Sequence, residues 1–507
     1  MQSRVGCYCK KWGELPYQHM ISRFLRILLA SLALASPLTT FAAEKTPRSH
    51  PNVIVILVDD MGQTDLSCYG SRFYETPHVD QLAKDGVRFA NGYSACTVCS
   101  PTRAALLTGK YPARLHLTDW ITGHERPHAK LKIPEWRKFL PFEEITLAEQ
   151  FKAAGYATAS IGKWHLTPAL KEGDEAYYPE KHGFDLNLGG YARGQPPSYV
   201  SPYKLPTLPE GPKGEFLTDR EANEAVKFIE ANKDKPFFLY LPHYAVHTPL
   251  DGKPEVVAKY QAKVAKTPDL KQKNPTYAAL VESVDDALGT IRAALRKLKL
   301  EENTIIVFTS DNGGLILRND KATDNSPFRV GKGSAYEGGV RVPLILFWPG
   351  VNKAGSVENT PAITVDLYPT LLEMTGVKPL QSLVDGISLA SLLKTGAKPD
   401  RDAIFWHYPH YHPGGATPYS AVRNGDFRLI HFYEDGRDEL YDLANDIGET
   451  KDLATTQPER TKALRTRLDA WLKTVDAQLP SPNPAYDPAA ENTGKAKGKP
   501  AAKKVGG

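Results

Sequence analysis

The chain has 507 residues, room for one large domain and a smaller one, and its 41% hydrophobic and 24% charged content is ordinary for a soluble globular protein. Its net charge of +5 sits at the ends: residues 1–26 carry about +4 and the tail from Asp487 about +3, which leaves about −2 for the body. A near-neutral body gives no electrostatic case for binding nucleic acid or a membrane surface.

Residues 20–42 open with Met20 and a basic start, continue through the apolar stretch Ile27 to Ala35 and end on Thr40-Phe41-Ala42. This is the pattern of a secretory signal with a small-residue cleavage site. The apolar stretch is short for a bilayer span, so stable membrane insertion is not expected. Residues 1–19 form a leader unlike any signal, and translation is expected to start at Met20. Export to the periplasm or the extracellular space follows. Of the five cysteines, Cys7 and Cys9 lie in that leader, leaving Cys68, Cys96 and Cys99. Three cysteines do not make a disulfide scaffold. Cys96 and Cys99 form a Cys-x-x-Cys pair, which opens a redox reading that the following Ser-Pro-Thr-Arg disfavours. No second such pair completes a zinc site.

Strand and helix signals then alternate. Val53 to Val58 is an unbroken apolar, β-branched run of the kind buried on both faces. Ser100 is an expected N-cap, with Pro101 at the first position of a helix that continues through Ala104 to Leu107. Thr146 to Ala154 reads as a helix and Ala157 to Ile161 as a strand. Thr218 and Glu221 spell a capping box ahead of Ala222, Ala225, Val226 and Ile229. Phe237 to Leu241 is a strand, and Tyr277, Leu280, Val284, Leu288, Ile291 and Leu295 recur at helical spacing. Thr304 to Phe308 and Val342 to Phe347 are further buried strands. From about Arg401 come short strands at Ala421-Val422, Phe427 to Phe432 and Glu439 to Leu443, split by Asn424-Gly425 and Asp435-Gly436 turns, then a helix near Glu459 to Val475.

This order predicts an α/β fold. A large mixed, mostly parallel sheet is sandwiched by helices, and a smaller C-terminal antiparallel-sheet subdomain follows. The expected divisions are a leader and signal over 1–42, a main domain over 48–395, an α+β subdomain over 396–486 and a disordered basic tail over 487–507.

Four segments carry the chemistry. Cys99-Ser100-Pro101-Thr102-Arg103 places a reactive group at the mouth of a helix, where free N–H groups and a guanidinium fork favour an anion. Two buried strands run into Asp59-Asp60 and Asp311-Asn312, each followed closely by glycine. Sites in parallel sheets form outside the carboxyl ends of strands. Three carboxylates meeting there require a cation, and an all-oxygen set favours Ca²⁺, with Mg²⁺ behind it, over zinc. Gly162-Lys163-Trp164-His165 follows a strand, as does Val246-His247-Thr248-Pro249. His243, four residues before His247, is expected to be structural. Gly331-Lys332-Gly333 opens a glycine-rich stretch that runs to Pro343, in which the backbone can approach an anion closely.

Cys99-x-Pro-x-Arg103 followed by Ala104-Ala105-Leu106-Leu107-Thr108-Gly109 resembles the signature of the type I sulfatases of the alkaline phosphatase superfamily. The other segments stand in that family's order, and Glu439-Leu440-Tyr441-Asp442-Leu443 is also family-like. Lys110 departs from the arginine that many members carry. The resemblance implies a sulfuric ester hydrolase in which Cys99 is oxidised to formylglycine by a formylglycine-generating or anaerobic maturase. It implies a Ca²⁺ site of Asp59, Asp60, Asp311 and Asn312 with residue 99. Lys163, Lys332 and Arg103 would hold the sulfate, His165 would bond residue 99 and act as a base, and His247 would protonate the leaving alcohol. The implied substrate is a sulfated glycan or an aryl sulfate, with the 4- or 6-sulfate of galactose or N-acetylgalactosamine as the family-level expectation. Asp119, Trp120, His124, Arg126, Trp406, His407, His410 and His412 are candidate sugar contacts or loop packing. A phosphoester or phosphonate monoester hydrolase of the same superfamily, or an inactive glycan-binding homologue, is the alternative. The Asp-x-x-x-His spacing of two-zinc phosphatases is absent from the sequence.

Overall fold

Asn52–Val58 is wholly buried because strands flank it on both sides. It pairs in parallel with Phe237–Pro242 on one side and with Thr304–Ser310 on the other. The computed structural model describes residues 50–170, 172–316 and 322–491. Eight strands form the large sheet, in the order Ser356–Glu358, Val87–Phe89, Leu344–Phe347, Thr304–Ser310, Asn52–Val58, Phe237–Pro242, Ala157–Ile161 and Leu186–Leu188. Leu344–Phe347 runs antiparallel to both neighbours, and the other pairings are parallel.

Alternate side chains of the central strand feed two cores, as the period of two requires. Ile54, Ile56 and Val58 pack with the helices Leu217–Ala231 and Pro275–Lys297. Val53, Val55 and Leu57 pack with Cys99–Thr108, Leu147–Ala153 and Leu367–Thr375. Each such buried aliphatic side chain contributes about 1.5–3 kcal/mol. The sandwich predicted from the sequence is therefore the one observed.

The small sheet is antiparallel, with Ala403–Tyr408, Tyr419–Asn424, Phe427–Phe432 and Asp438–Asp442 in chain order. Helix Pro458–Thr474 covers one face through Leu464, Leu468 and Leu472. The other face joins Ile404, Trp406 and Tyr419 to Tyr93, Cys96 and Ala105 in one shared cluster.

Local details differ from the sequence reading. The Cys99 helix begins at Cys99 with Val98 as N-cap, so Ser100 is inside it and its Oγ donates to the His165 carbonyl at 2.9 Å. The capping box at Thr218 does not form, because that helix starts at Leu217 with Phe216 as N-cap, two residues earlier than a Thr218 cap requires, and Glu221 turns inward to His243. The box that does form is Thr146 with Glu149. The strand expected from Val342 starts at Leu344, after Pro343, which has no N–H to give a ladder. Asp487 to Glu491, placed in the disordered tail, are instead docked. The Asp487 N–H donates to the His128 carbonyl at 3.3 Å, and Arg126 Nη2 to the Glu491 carbonyl at 2.9 Å. The leader and signal of residues 1–42, and the tail beyond Glu491, lie outside the described residues. Among the described residues no helix is long and apolar enough to cross a membrane.

Candidate active site

The sheet register builds the site. Val58 lies opposite Ser310, so Asp59-Asp60 and Asp311-Asn312 leave the sheet side by side. Asp60 takes a left-handed φ of 64°, which a short polar side chain tolerates. Its N–H donates to Asp311 Oδ1 at 3.2 Å, the Met61 N–H donates to Ser310 Oγ at 3.0 Å, and Asn312 Nδ2 donates to Asp60 Oδ1 at 2.8 Å.

Cations surround these oxygens. Lys163 Nζ lies 2.6 Å from Asp59 Oδ2. Lys332 Nζ lies 2.6 Å and 2.9 Å from the two oxygens of Asp60. Arg103 donates from Nε and Nη2 to Asp311 Oδ2 and from Nη1 to the Lys163 carbonyl. Burial pushes Asp59 well above the usual carboxylate range, and Lys163 only partly offsets this. Burial also pushes Asp60 up, but Lys332, His247 and Lys163 together outweigh it and hold that group low. The four residues fit a hard divalent cation. Their donors are oxygens, and Asp59 Oδ1 and Asn312 Oδ1 are buried with no hydrogen-bond partner among the described residues. Asp59, Asp60 and His247 also place one ligand atom each within 4.8 Å of one another.

Cys99 sits at the first turn of its helix, 2% exposed, with Sγ 3.3 Å from His165 Nδ1. His165 Nε2 donates to the Ile121 carbonyl, which leaves Nδ1 as the acceptor facing residue 99. Burial and the nearby Lys163 hold His165 well below its ordinary pKa, so it is neutral. His247 Nδ1 donates to the Thr248 carbonyl at 2.7 Å, and Nε2 faces Asp60 Oδ2 at 3.7 Å. Burial lowers the His247 pKa to about 3, against the pull of Asp60. Burial raises the Cys99 thiol, and Lys163 and Lys332 only moderate the rise.

Gly162, at φ 116°, explains one motif glycine. A Cβ there would lie 2.1 Å from the Pro242 carbonyl oxygen, the group that accepts the Lys163 N–H at 2.6 Å. Lys163 and His165 then face the cluster, while Trp164 is buried in the core with Nε1 on the Tyr177 carbonyl.

Cys99, Arg103, Lys163, His165, His247 and Lys332 thus come together around Asp59, Asp60, Asp311 and Asn312. Arg103 is fully buried and committed to Asp311, so it orders the carboxylate rather than offering a free fork to a ligand. Lys110 lies apart, in an ion pair with Glu144. Trp406, His407 and His410 are buried and bonded to Ser94, Ser420 and Thr118, which removes them as sugar contacts. The sequence reading did not anticipate the Ile121 carbonyl or Ser310. A backbone acceptor leaves no side-chain signal, and a serine inside a strand leaves little.

Residues 51–377 match the sulfatase family, and residues 330–478 match the C-terminal family of N-sulphoglucosamine sulphohydrolase. This chain belongs to the sulfatase family. It is a sulfuric ester hydrolase. Similar proteins include a sulfatase of Formosa agariphila, 33% identical over 89% of this chain and 94% of the relative. Human arylsulfatase A is 32% identical over 90% of each. Rat N-acetylgalactosamine-6-sulfatase is 34% identical over 70% of this chain and 68% of its own length. Among solved structures, Ps i-CgsB in complex with k-i-k-neocarrahexaose aligns at a TM-score of 0.69 and 29% identity, over 86% of this sulfatase and 94% of that chain. Phosphonate monoester hydrolase of Agrobacterium radiobacter, at 21% identity and a TM-score of 0.62, shares the fold.

Proposed function

We propose that this sulfatase is exported and removes sulfate from a sulfated carbohydrate, using Ca²⁺ and a formylglycine made from Cys99. The observation that carries the reading is the placement of Cys99. Its side chain meets His165 Nδ1 at a helix N-terminus, beside two lysines and a carboxylate cluster with two orphaned oxygens. The neutral, raised thiol is a poor nucleophile as it stands, which favours its replacement by an oxidised side chain. Formylglycine supplies a hydrated aldehyde with one hydroxyl to attack sulfur and a second to release sulfate. A bound Ca²⁺, held by Asp59, Asp60, Asp311 and Asn312, supplies charge to polarise sulfate oxygens.

The remaining work falls to this chain's own side chains. Lys163 and Lys332 bind the terminal oxygens and stabilise charge as the ester breaks. Arg103 fixes Asp311. His165, neutral and with Nδ1 free to accept, takes a proton from residue 99. His247 is neutral without substrate. The negative charge of a sulfate ester raises its proton affinity, so Nε2 becomes the donor to the leaving oxygen. The arylsulfatase and N-acetylgalactosamine-6-sulfatase relatives favour a sugar or aryl sulfate, with galactose or N-acetylgalactosamine 4- or 6-sulfate as the leading sugars.

The test is the mass of the peptide containing residue 99, from protein made with a formylglycine-generating enzyme, followed by rates on 4-nitrophenyl sulfate and phosphate. Conversion of thiol to aldehyde lowers the mass by about 18 Da. An intact thiol in active protein overturns the formylglycine assignment. Faster turnover of the phosphate makes the chain a phosphoester hydrolase.

A further inference from the structure

We propose that the cavity beside the catalytic cysteine is a second anion subsite, which holds the neighbouring sugar of a polyanionic glycan together with a charged substituent on it. The inference rests on the sulfated-carbohydrate reading above. The cavity measures about 330 Å³, and its lining includes His124, Arg126, Lys132, Trp136 and Lys138.

It adjoins the sulfate site through the Ile121-Thr122 segment. Thr122, in its lining, directly follows Ile121, whose carbonyl holds His165 and whose N–H donates to Ser100 Oγ at 3.2 Å. Next to Lys332, His412 packs over Gly333, where a Cβ would lie 1.7 Å from its ring. Burial holds His412 near a pKa of about 3, and Lys332 and His124 add to the effect while Asp60 opposes it.

The surface suits a charged sugar. Trp136 is half-buried and offers an aromatic face, the surface on which the apolar faces of sugar rings stack. Its ring is held edge-on by buried His410, with centroids 5.6 Å apart, and His410 Nε2 meets Thr118 Oγ1 at 2.7 Å. Gly123, at φ 89°, leaves room for the ring, since a Cβ there would lie 2.8 Å from it. Lys138 Nζ sits 5.5 Å from the Trp136 centroid. Among the described residues neither Lys132 nor Lys138 forms an ion pair. Two exposed carboxylates, Glu125 and Glu135, also line the cavity, so three permanent cations face two anions.

The wall is fixed from outside. Ser481–Pro482 pairs antiparallel with Leu131–Lys132, and Asn483 Nδ2 donates to the Pro127 and Ala129 carbonyls at 2.9 Å and 2.7 Å. Pre-ordering of this kind lowers the cost of binding.

The experiment pairs binding with turnover. Cys99→Ala protein is titrated calorimetrically with chondroitin 6-sulfate and iota-carrageenan tetrasaccharides, alone and combined with Lys132→Ala/Lys138→Ala or with Trp136→Ala. Matured protein with the same cavity substitutions is assayed on 4-nitrophenyl sulfate and on the tetrasaccharide that binds. The expected result is at least a fivefold rise in Kd for each variant, with a flatter salt dependence for the lysine pair. The ratio of kcat/KM on tetrasaccharide to kcat/KM on aryl sulfate falls in step. An unchanged Kd, or no binding of either tetrasaccharide by a protein that hydrolyses aryl sulfate when matured, overturns the subsite and leaves the sulfatase reading standing. Matured protein inert on aryl sulfate and on both tetrasaccharides overturns that reading, and the subsite with it.

Discussion

Arg103 donates two hydrogen bonds to one oxygen of Asp311, from Nε at 2.9 Å and Nη2 at 2.7 Å, with both side chains fully buried. The pair ties the helix of residue 99 to the strand that delivers the carboxylates. Replacing Arg103 by Lys keeps the charge and loses the fork. Breaking a buried pair costs about 3–5 kcal/mol when one partner is removed, and Arg103→Ala is expected to approach that loss in urea unfolding. Arg103→Lys is expected to fall between the two. Wild-type stability in either variant contradicts this assignment.

Cys99→Ala is expected to abolish turnover while the circular dichroism spectrum and Tm stay close to wild type. Cys99→Ser is expected to accumulate a sulfated enzyme, because a simple serine ester lacks the second hydroxyl. Intact-protein mass spectrometry after incubation with substrate reads this directly, and steady turnover by the serine variant rules out the release step.

His247→Ala removes the group proposed to protonate the leaving oxygen. Loss of a general acid costs about 10²–10⁴-fold in rate. The loss is expected to be greatest for sugar sulfates, whose alcohols leave poorly, and smallest for 4-nitrophenyl sulfate. An equal loss on both substrates assigns His247 to binding instead.

Chelation by EGTA is expected to lower both activity and Tm, and excess CaCl₂ to restore them, with Tm rising as the free ion concentration rises. Asn312→Ala is expected to move the restoring concentration upward. A Tm indifferent to EGTA and Ca²⁺ means that the orphaned oxygens of Asp59 and Asn312 hold no ion.

Glu449 gives a pH dependence remote from catalysis. Burial raises its pKa from 4.5 to about 8, even though Arg428 lies beside it. Folding therefore favours its protonated form. Its contribution is full at the acid end and is lost as pH rises from the unfolded value near 4.5 through about 8. Glu449→Gln stays neutral, so its stability relative to wild type is expected to increase between pH 5 and pH 8. A pH-independent difference in urea unfolding contradicts this.

The chemistry was legible where it is written in side chains at strand ends. Asp59-Asp60 and Asp311-Asn312 announce themselves because apolar runs deliver them, and the register then sets them together. Glu221 shows where spelling misleads. Thr-x-x-Glu is a cap only if the threonine is the N-cap, and an N-cap two residues earlier, at Phe216, sends the carboxylate to His243 at 2.6 Å. Trp406 and His407 show another limit. An aromatic-rich segment reads alike whether it faces a sugar or fills a core, and the partner strand Tyr419–Asn424 decides between them.

The 2% exposure of Cys99 has a consequence for timing. In the folded chain no outside enzyme can close around that thiol. On the formylglycine reading, oxidation of residue 99 then belongs to the chain's synthesis, before the sheet closes, and a copy that folds unconverted would keep its thiol for life. A preparation would be a frozen census of competent and silent molecules. Its specific activity would report how many were converted in time, as much as how fast each one works.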